Sequence, residues 1–204
     1  MDTRSQSVIL PVLLVLRPDN AFAHFALILG TDAGGLVGGL EHPVLGLDHL
    51  LTMLLVGVWA AQLGASAMWL LPATFLIALE NAGMAGSLGL LLPGNEIGIP
   101  LSAIALGLMV AIRVRPPLWT AALLVGFFAI FHGQAHATDL APGGTGFLHT
   151  LDYGIGQFIA AGLLQLAGIA IGLSQCWKVG EVAVRVGAVG ATLAGGVLLW
   201  GGMR

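Results

Sequence analysis

The chain has 204 residues, of which 57% are hydrophobic and only 8% charged, with a mean hydropathy of +0.97. A soluble domain carries about 25% charged residues, so most of this surface faces lipid. A net charge of −3 with no basic cluster argues against a nucleic-acid partner, and the single cysteine, Cys176, excludes an intramolecular disulfide framework and a Cys-rich zinc site. Any metal ligands are therefore His, carboxylate, Met, backbone or water.

Residues 1–23 read as a cleaved signal peptide. A short polar start containing Arg4 precedes an apolar run at 8–16, too short for a span of about 20 residues. Ala21-Phe22-Ala23 then forms an A-x-A pattern ahead of His24, which would become the mature N-terminus. Residues 25–40 are apolar and Gly-rich but interrupted by Gly30-Thr31-Asp32 and by Gly pairs. They read as an interfacial or half-inserted stretch rather than a span.

Six apolar segments follow, at 43–63, 67–88, 96–113, 117–135, 153–173 and 181–201. Each has roughly the 20 residues a transmembrane helix requires. Gly64-Ala65-Ser66, Pro93-Gly94-Asn95, Pro116-Pro117 and Pro142-Gly143-Gly144 punctuate the short connections. The expected architecture is all-α: a polytopic membrane bundle of six transmembrane helices, over residues 24–204, after the signal peptide. Arg113 and Arg115 lie between spans three and four, and Lys178 and Arg185 near the junction of spans five and six. The positive-inside rule makes that side cytoplasmic and puts the mature N-terminus outside. Trp59, Trp69, Trp119 and Trp177 fall near the same interface, as in an aromatic belt. The 31 glycines, among them the G-x-x-x-G pair Gly168 and Gly172, fit close helix packing. Homo-oligomer formation is left open by the sequence.

In this topology every histidine lies on the outer half, as do Glu41, Asp48, Glu80, Glu96, Asp139 and Asp152. A charged group within the bilayer costs about 2.5–3.5 kcal/mol on insertion scales, so these side chains need a partner, a cavity or a metal. Pro43 suits a helix start, which puts His42 at the entry of span one. His49 lies seven residues on, nearly on the same face, with Met53 one turn beyond it and Asp48 about 100° round. Gly46 offers a place for the helix to relax. Asp48 is then either a ligand or a group orienting the histidines. His132 and His136 stand at i, i+4, a spacing suited to two imidazole ligands, with Asp139 three residues further. Glu80 sits inside an apolar span, as a functional carboxylate or as a hydrogen-bonding partner of Asn81 or a Ser. His149, Asp152, Tyr153 and Gln157 are supporting candidates near the start of span five, and Glu96 reads as a helix N-terminal acid. Imidazole, carboxylate and thioether suit nickel, copper, zinc, cobalt or iron.

The motif His42-Pro43-x-x-Gly46-x-Asp48-His49-x-x-x-Met53, together with Phe131-His132-Gly133-x-Ala135-His136, resembles the HupE/UreJ family of nickel and cobalt permeases. The resemblance runs over essentially the whole mature chain. It implies movement of nickel, or alternatively cobalt, across the bacterial inner membrane for hydrogenase or urease maturation. It also implies functional roles for His42, Asp48, His49, His132 and His136, with His24, Met53, Glu80 and Asp139 as secondary candidates. The second motif of the family usually continues with Gly and then Glu, where this chain has Ala137 and Asp139, and Gln165 stands where members often carry His. The divalent metal ion is thus expected as a transported substrate, with zinc a further alternative, and no enzymatic activity is expected. Two competing readings use the same residues. One is an intramembrane zinc-dependent hydrolase with Asp139 or Glu80 as base. The other is a membrane metal sensor or chaperone that does not transport.

Overall fold

The structure, a computed structural model, describes residues 35–140 and 147–203, with the backbone alone for 136–140, 147 and 149. The expected signal peptide and His24 lie outside these residues. The described residues are helical apart from short turns: α1 Gly35–Leu45, α2 Leu47–Leu63, α3 Ala65–Ser87, α4 Asn95–Ala111, α5 Leu118–Leu140, α6 Phe147–Leu173 and α7 Lys178–Gly202, with a 3-10 turn at Ser174–Cys176. Lipid offers backbone groups no hydrogen bonds, and a helix satisfies them within its own segment.

Among the described residues, four helices are long and apolar enough to cross a membrane, or five if α1 and α2 count as one bent span. The expected segments 43–63 and 96–113 are the two that differ from a full-length straight span. The expected segment 43–63 does not begin at Pro43. Instead Pro43 lies inside α1, His42 occupies its last turn, and the chain bends by 78° before α2 starts at Leu47. Gly46 is the break: its extended backbone (φ −72°, ψ 105°) leaves the helical region, while its N–H still donates to His42 O at 2.9 Å and its carbonyl accepts from Leu50 N at 2.8 Å. At 11 residues α1 is about 16 Å long, which fits a half-inserted element rather than a span of its own. The segment expected at 96–113 becomes α4, whose 17 residues reach about 25 Å, short of a hydrocarbon core of about 30 Å. Gly94 opens α4 at φ 95°, a left-handed conformation that favours glycine after Pro93.

Helix α3 packs along α5, α4 along α7, and α6 lies along both α1 and α2. Helix α2 is the centre, touching α3, α4 and α6. Its contact with α6 is a backbone-level approach. A Cβ on Gly57 would fall on Gln165 O, and one on Gly168 would fall on Leu54 O. Gly172 seats against Val58 and Ala61, so the G-x-x-x-G pair is the α2-facing stripe of α6, as small-residue packing in lipid requires. Met53, Trp59, Leu71, Phe75, Leu79 and Leu106 form the innermost core.

Trp69, Trp119 and Trp177 are 80%, 66% and 71% exposed, in keeping with an interfacial belt. Trp59 departs from that expectation. It is fully buried, and its indole N–H donates to Val114 O at 3.0 Å, because α2 runs through the middle of the bundle. At the same end Arg113 pairs with Glu181 at 3.3 Å, and Arg185 Nε donates to Ala111 O at 3.2 Å. Among the described residues, Arg113 and Arg185 therefore gather at one end of the molecule, away from His42, His49 and His132.

Candidate metal centre

The bend at Gly46 turns two sequence neighbours into a corner. His42 closes α1 and His49 sits in the first turn of α2, and their rings meet edge to face with centroids 5.1 Å apart. His132, from α5, also meets His49 edge to face, with centroids 4.6 Å apart. Three imidazoles from α1, α2 and α5 thus form a row, flanked by Tyr153 of α6 beside His42 (6.5 Å) and Phe75 of α3 beside His132 (5.7 Å).

Hydrogen bonds fix which nitrogen carries a proton. Asp48 Oδ1 accepts from the His49 backbone N–H at 2.8 Å and from His49 Nδ1 at 2.9 Å. A carboxylate only accepts, so the proton of neutral His49 is on Nδ1 and the lone pair is on Nε2. Asp48 thereby orients His49 and fixes its tautomer. His132 is fully buried and its Nε2 lies 2.9 Å from Ser102 Oγ. Ser102 donates its single hydroxyl proton to Ile99 O at 2.6 Å, and Thr52 Oγ1 sits 2.8 Å from the same oxygen. All three bonds are satisfied only if Ser102 accepts from both Thr52 and His132. His132 Nε2 is then the protonated nitrogen, and Nδ1 carries a buried lone pair with no hydrogen-bond partner among the described residues. An orphaned imidazole lone pair beside two other histidines is a donor set of the kind transition metals use.

The structure therefore brings His42, Asp48, His49 and His132 together. As they stand, the rings meet edge to face, and no three His, Cys, Asp or Glu side chains are grouped to hold one ion among the described residues. His136 and Asp139 continue α5 beyond His132, and their side chains are outside the described set. Met53 is fully buried one turn along α2 from His49. Glu80 lies at the depth of His132 rather than further in, since its neighbours Leu79 and Gly83 pack on Gly133. Its carboxylate faces Gly154 of α6, and Oε1 is buried without a hydrogen-bond partner among the described residues. Asn81 is not its partner, because Asn81 Nδ2 donates to Ile77 O at 2.7 Å.

Sequence reasoning gave no role to Ser102, Thr52 or Phe75, which hold His132. It also passed over Gln134, whose amide donates to Ala82 O at 2.9 Å and accepts from Leu92 N at 3.0 Å, tying α5 to α3 and to the loop after it. The one available signal for Ser102 and Thr52 was a polar side chain inside an apolar span. For Gln134 it was position, two residues from His132 and hence on a different face of α5.

An all-helical, multi-pass membrane protein with a buried histidine row beside a carboxylate is the class that fold and site define. The family model described as HupE / UreJ protein matches residues 12–199, and the chain belongs to that family. It is similar to Protein HupE of Rhizobium leguminosarum bv. viciae, 38% identical over 184 residues that cover 90% of this chain and 92% of the relative. No solved structure matches the chain.

Proposed function

We propose that the protein is a permease for a divalent transition-metal ion, nickel in the first instance and cobalt as the alternative cargo. The observation that carries this reading is the His42–His49–His132 row, set inside a membrane bundle with an orienting carboxylate and an orphaned His132 lone pair. Family membership supports the same direction, with hydrogenase or urease maturation as the demand served. His42, His49 and His132, with His136 joining from α5, take up the ion and replace part of its water shell. Asp48 holds His49 in the metal-binding tautomer. Met53, Glu80, Asp139 and His24 are supporting groups around this set.

Loading requires the imidazoles to turn from edge-to-face contact to convergence, and the elbow at Gly46 is where α1 and α2 can rotate relative to each other. The reading takes six membrane passes, with α4 as a short one and α1–α2 as a broken one, and the positive-inside rule favours the histidine end in the periplasm and the arginine end in the cytoplasm. Uptake of radioactive nickel into proteoliposomes tests the reading. The wild-type chain is expected to accumulate the ion, and His49→Ala to lose both binding and uptake. Absence of uptake by the wild type, or full uptake by His49→Ala, would refute it.

A further inference from the structure

Beyond the histidine row, the inner half of the bundle offers no ionisable side chain facing its core among the described residues. It does offer neutral amides, on the buried face of α6 and near the end of α2. Gln157, one turn along α6 from Tyr153, is 4% exposed, and its Nε2 has no hydrogen-bond partner among the described residues. Gln165, two turns further, is fully buried, and neither Nε2 nor Oε1 has a partner among them. Gln62, near the end of α2, donates Nε2 to Val110 O at 3.1 Å and to Gln175 Oε1 at 3.0 Å, but its own Oε1 is buried and unpartnered.

Their depths follow from helix geometry. Gly57, which seats on the Gln165 carbonyl, lies about 12 Å along α2 from His49. Gln62 lies about 20 Å from His49 on the same helix, within a hydrocarbon core of about 30 Å. Tyr153, Gln157, Ala161, Gln165 and Gly168 all belong to the buried face of α6. A residue needed only for packing here would be apolar, because an unpaired amide in a dry bundle is costly and leucine is not. An amide oxygen can ligate a cation, and an amide N–H₂ can hold the oxygen of a water travelling with it. Being uncharged, neither traps a divalent ion, and conduction requires sites weak enough to release.

We propose that the ion's inward route runs along the buried face of α6 to the end of α2, with Gln157, Gln165 and Gln62 as successive neutral stations for a partly hydrated divalent cation after it leaves the histidines. This rests on the permease reading above. The test uses the full chain with Ni²⁺ itself: equilibrium binding in detergent, initial uptake in proteoliposomes, and the melting temperature of each variant. Gln165→Leu is expected to bind Ni²⁺ within about twofold of wild type and to melt no lower, since it removes an unpaired polar group, yet to transport at least about tenfold more slowly. Unchanged uptake by a well-folded Gln165→Leu would overturn the proposal. If that variant folds poorly, Gln165→Glu decides. A carboxylate on the route would hold a second Ni²⁺ per chain and slow uptake, whereas one bound Ni²⁺ with normal uptake would overturn the proposal. Loss of uptake in His49→Ala with normal uptake in both Gln165 variants removes the amide route alone. A wild type that does not transport removes the permease reading as well.

Discussion

At the scale of single residues, the site is a set of proton assignments. His132 depends on Ser102 for its tautomer, and Ser102 depends on Ile99 and Thr52 for its own. Groups that orient a metal-binding imidazole typically change affinity by about 10–100-fold when removed. Ser102→Ala is therefore expected to weaken Ni²⁺ binding by about that factor, read by calorimetric titration, while the fold persists. An unchanged affinity would mean that His132 is not among the ligands. The histidines and Asp48 were legible in the sequence because an ionisable group in an apolar segment needs a reason to be there. Ser102 was not, because a hydroxyl in a helix can satisfy itself on a carbonyl of the preceding turn, as it does here on Ile99.

At the scale of elements, the bend and the crossings decide where those residues meet. A Cβ on Gly46 would lie 3.2 Å from His49 Nδ1 and 3.3 Å from Asp48 Oδ1, and its φ and ψ suit any residue. Gly46→Ala is thus expected to leave the melting temperature nearly unchanged while weakening metal binding through a displaced Asp48–His49 pair. Gly57→Val should do the opposite. It drives a side chain into the Gln165 carbonyl, and overpacking of this kind costs about 1–3 kcal/mol or more, visible as a lower melting temperature. Equal effects of the two substitutions on stability would contradict this division. The apolar pattern located every helix from α3 onward to within a few residues, apart from the end of α5 and the start of α6. It drew one span across the bend because apolar residues continue on both sides of Gly46, so that Gly46 stood out only as a place for the helix to relax, and its backbone is what marks the corner. It also sent Trp59 to the lipid interface, since hydropathy reports how apolar a helix is and not which helix its neighbours surround.

At the scale of the whole molecule, the two ends differ in chemistry. Histidines and carboxylates occupy one, and Arg113, Glu181, Arg185 and the exposed Cys176 the other. Cys176 is the only cysteine in the chain, so it reports sidedness without engineering. A membrane-impermeant maleimide is expected to label it in inside-out vesicles and not in intact spheroplasts. Labelling from the outside would invert the topology and place the histidine row at the cytoplasmic face. The chain's charge distribution carried this asymmetry openly, because seven basic residues in 204 leave few ways to satisfy the positive-inside rule.

The elbow at Gly46 has a consequence for inheritance and for screens. Helix α1 rests far more on α6 than on α2, through Gly39 against the Tyr153 carbonyl and Gly156 against Leu36. The separation of His42 from His49 is consequently set by a third helix, over 100 residues away in sequence. Selection on the histidine pair must therefore act on two glycines that never touch an ion. A search for inactive mutants will recover Gly39 and Gly156 beside the histidines, with lesions that resemble the loss of a ligand although every ligand is still encoded.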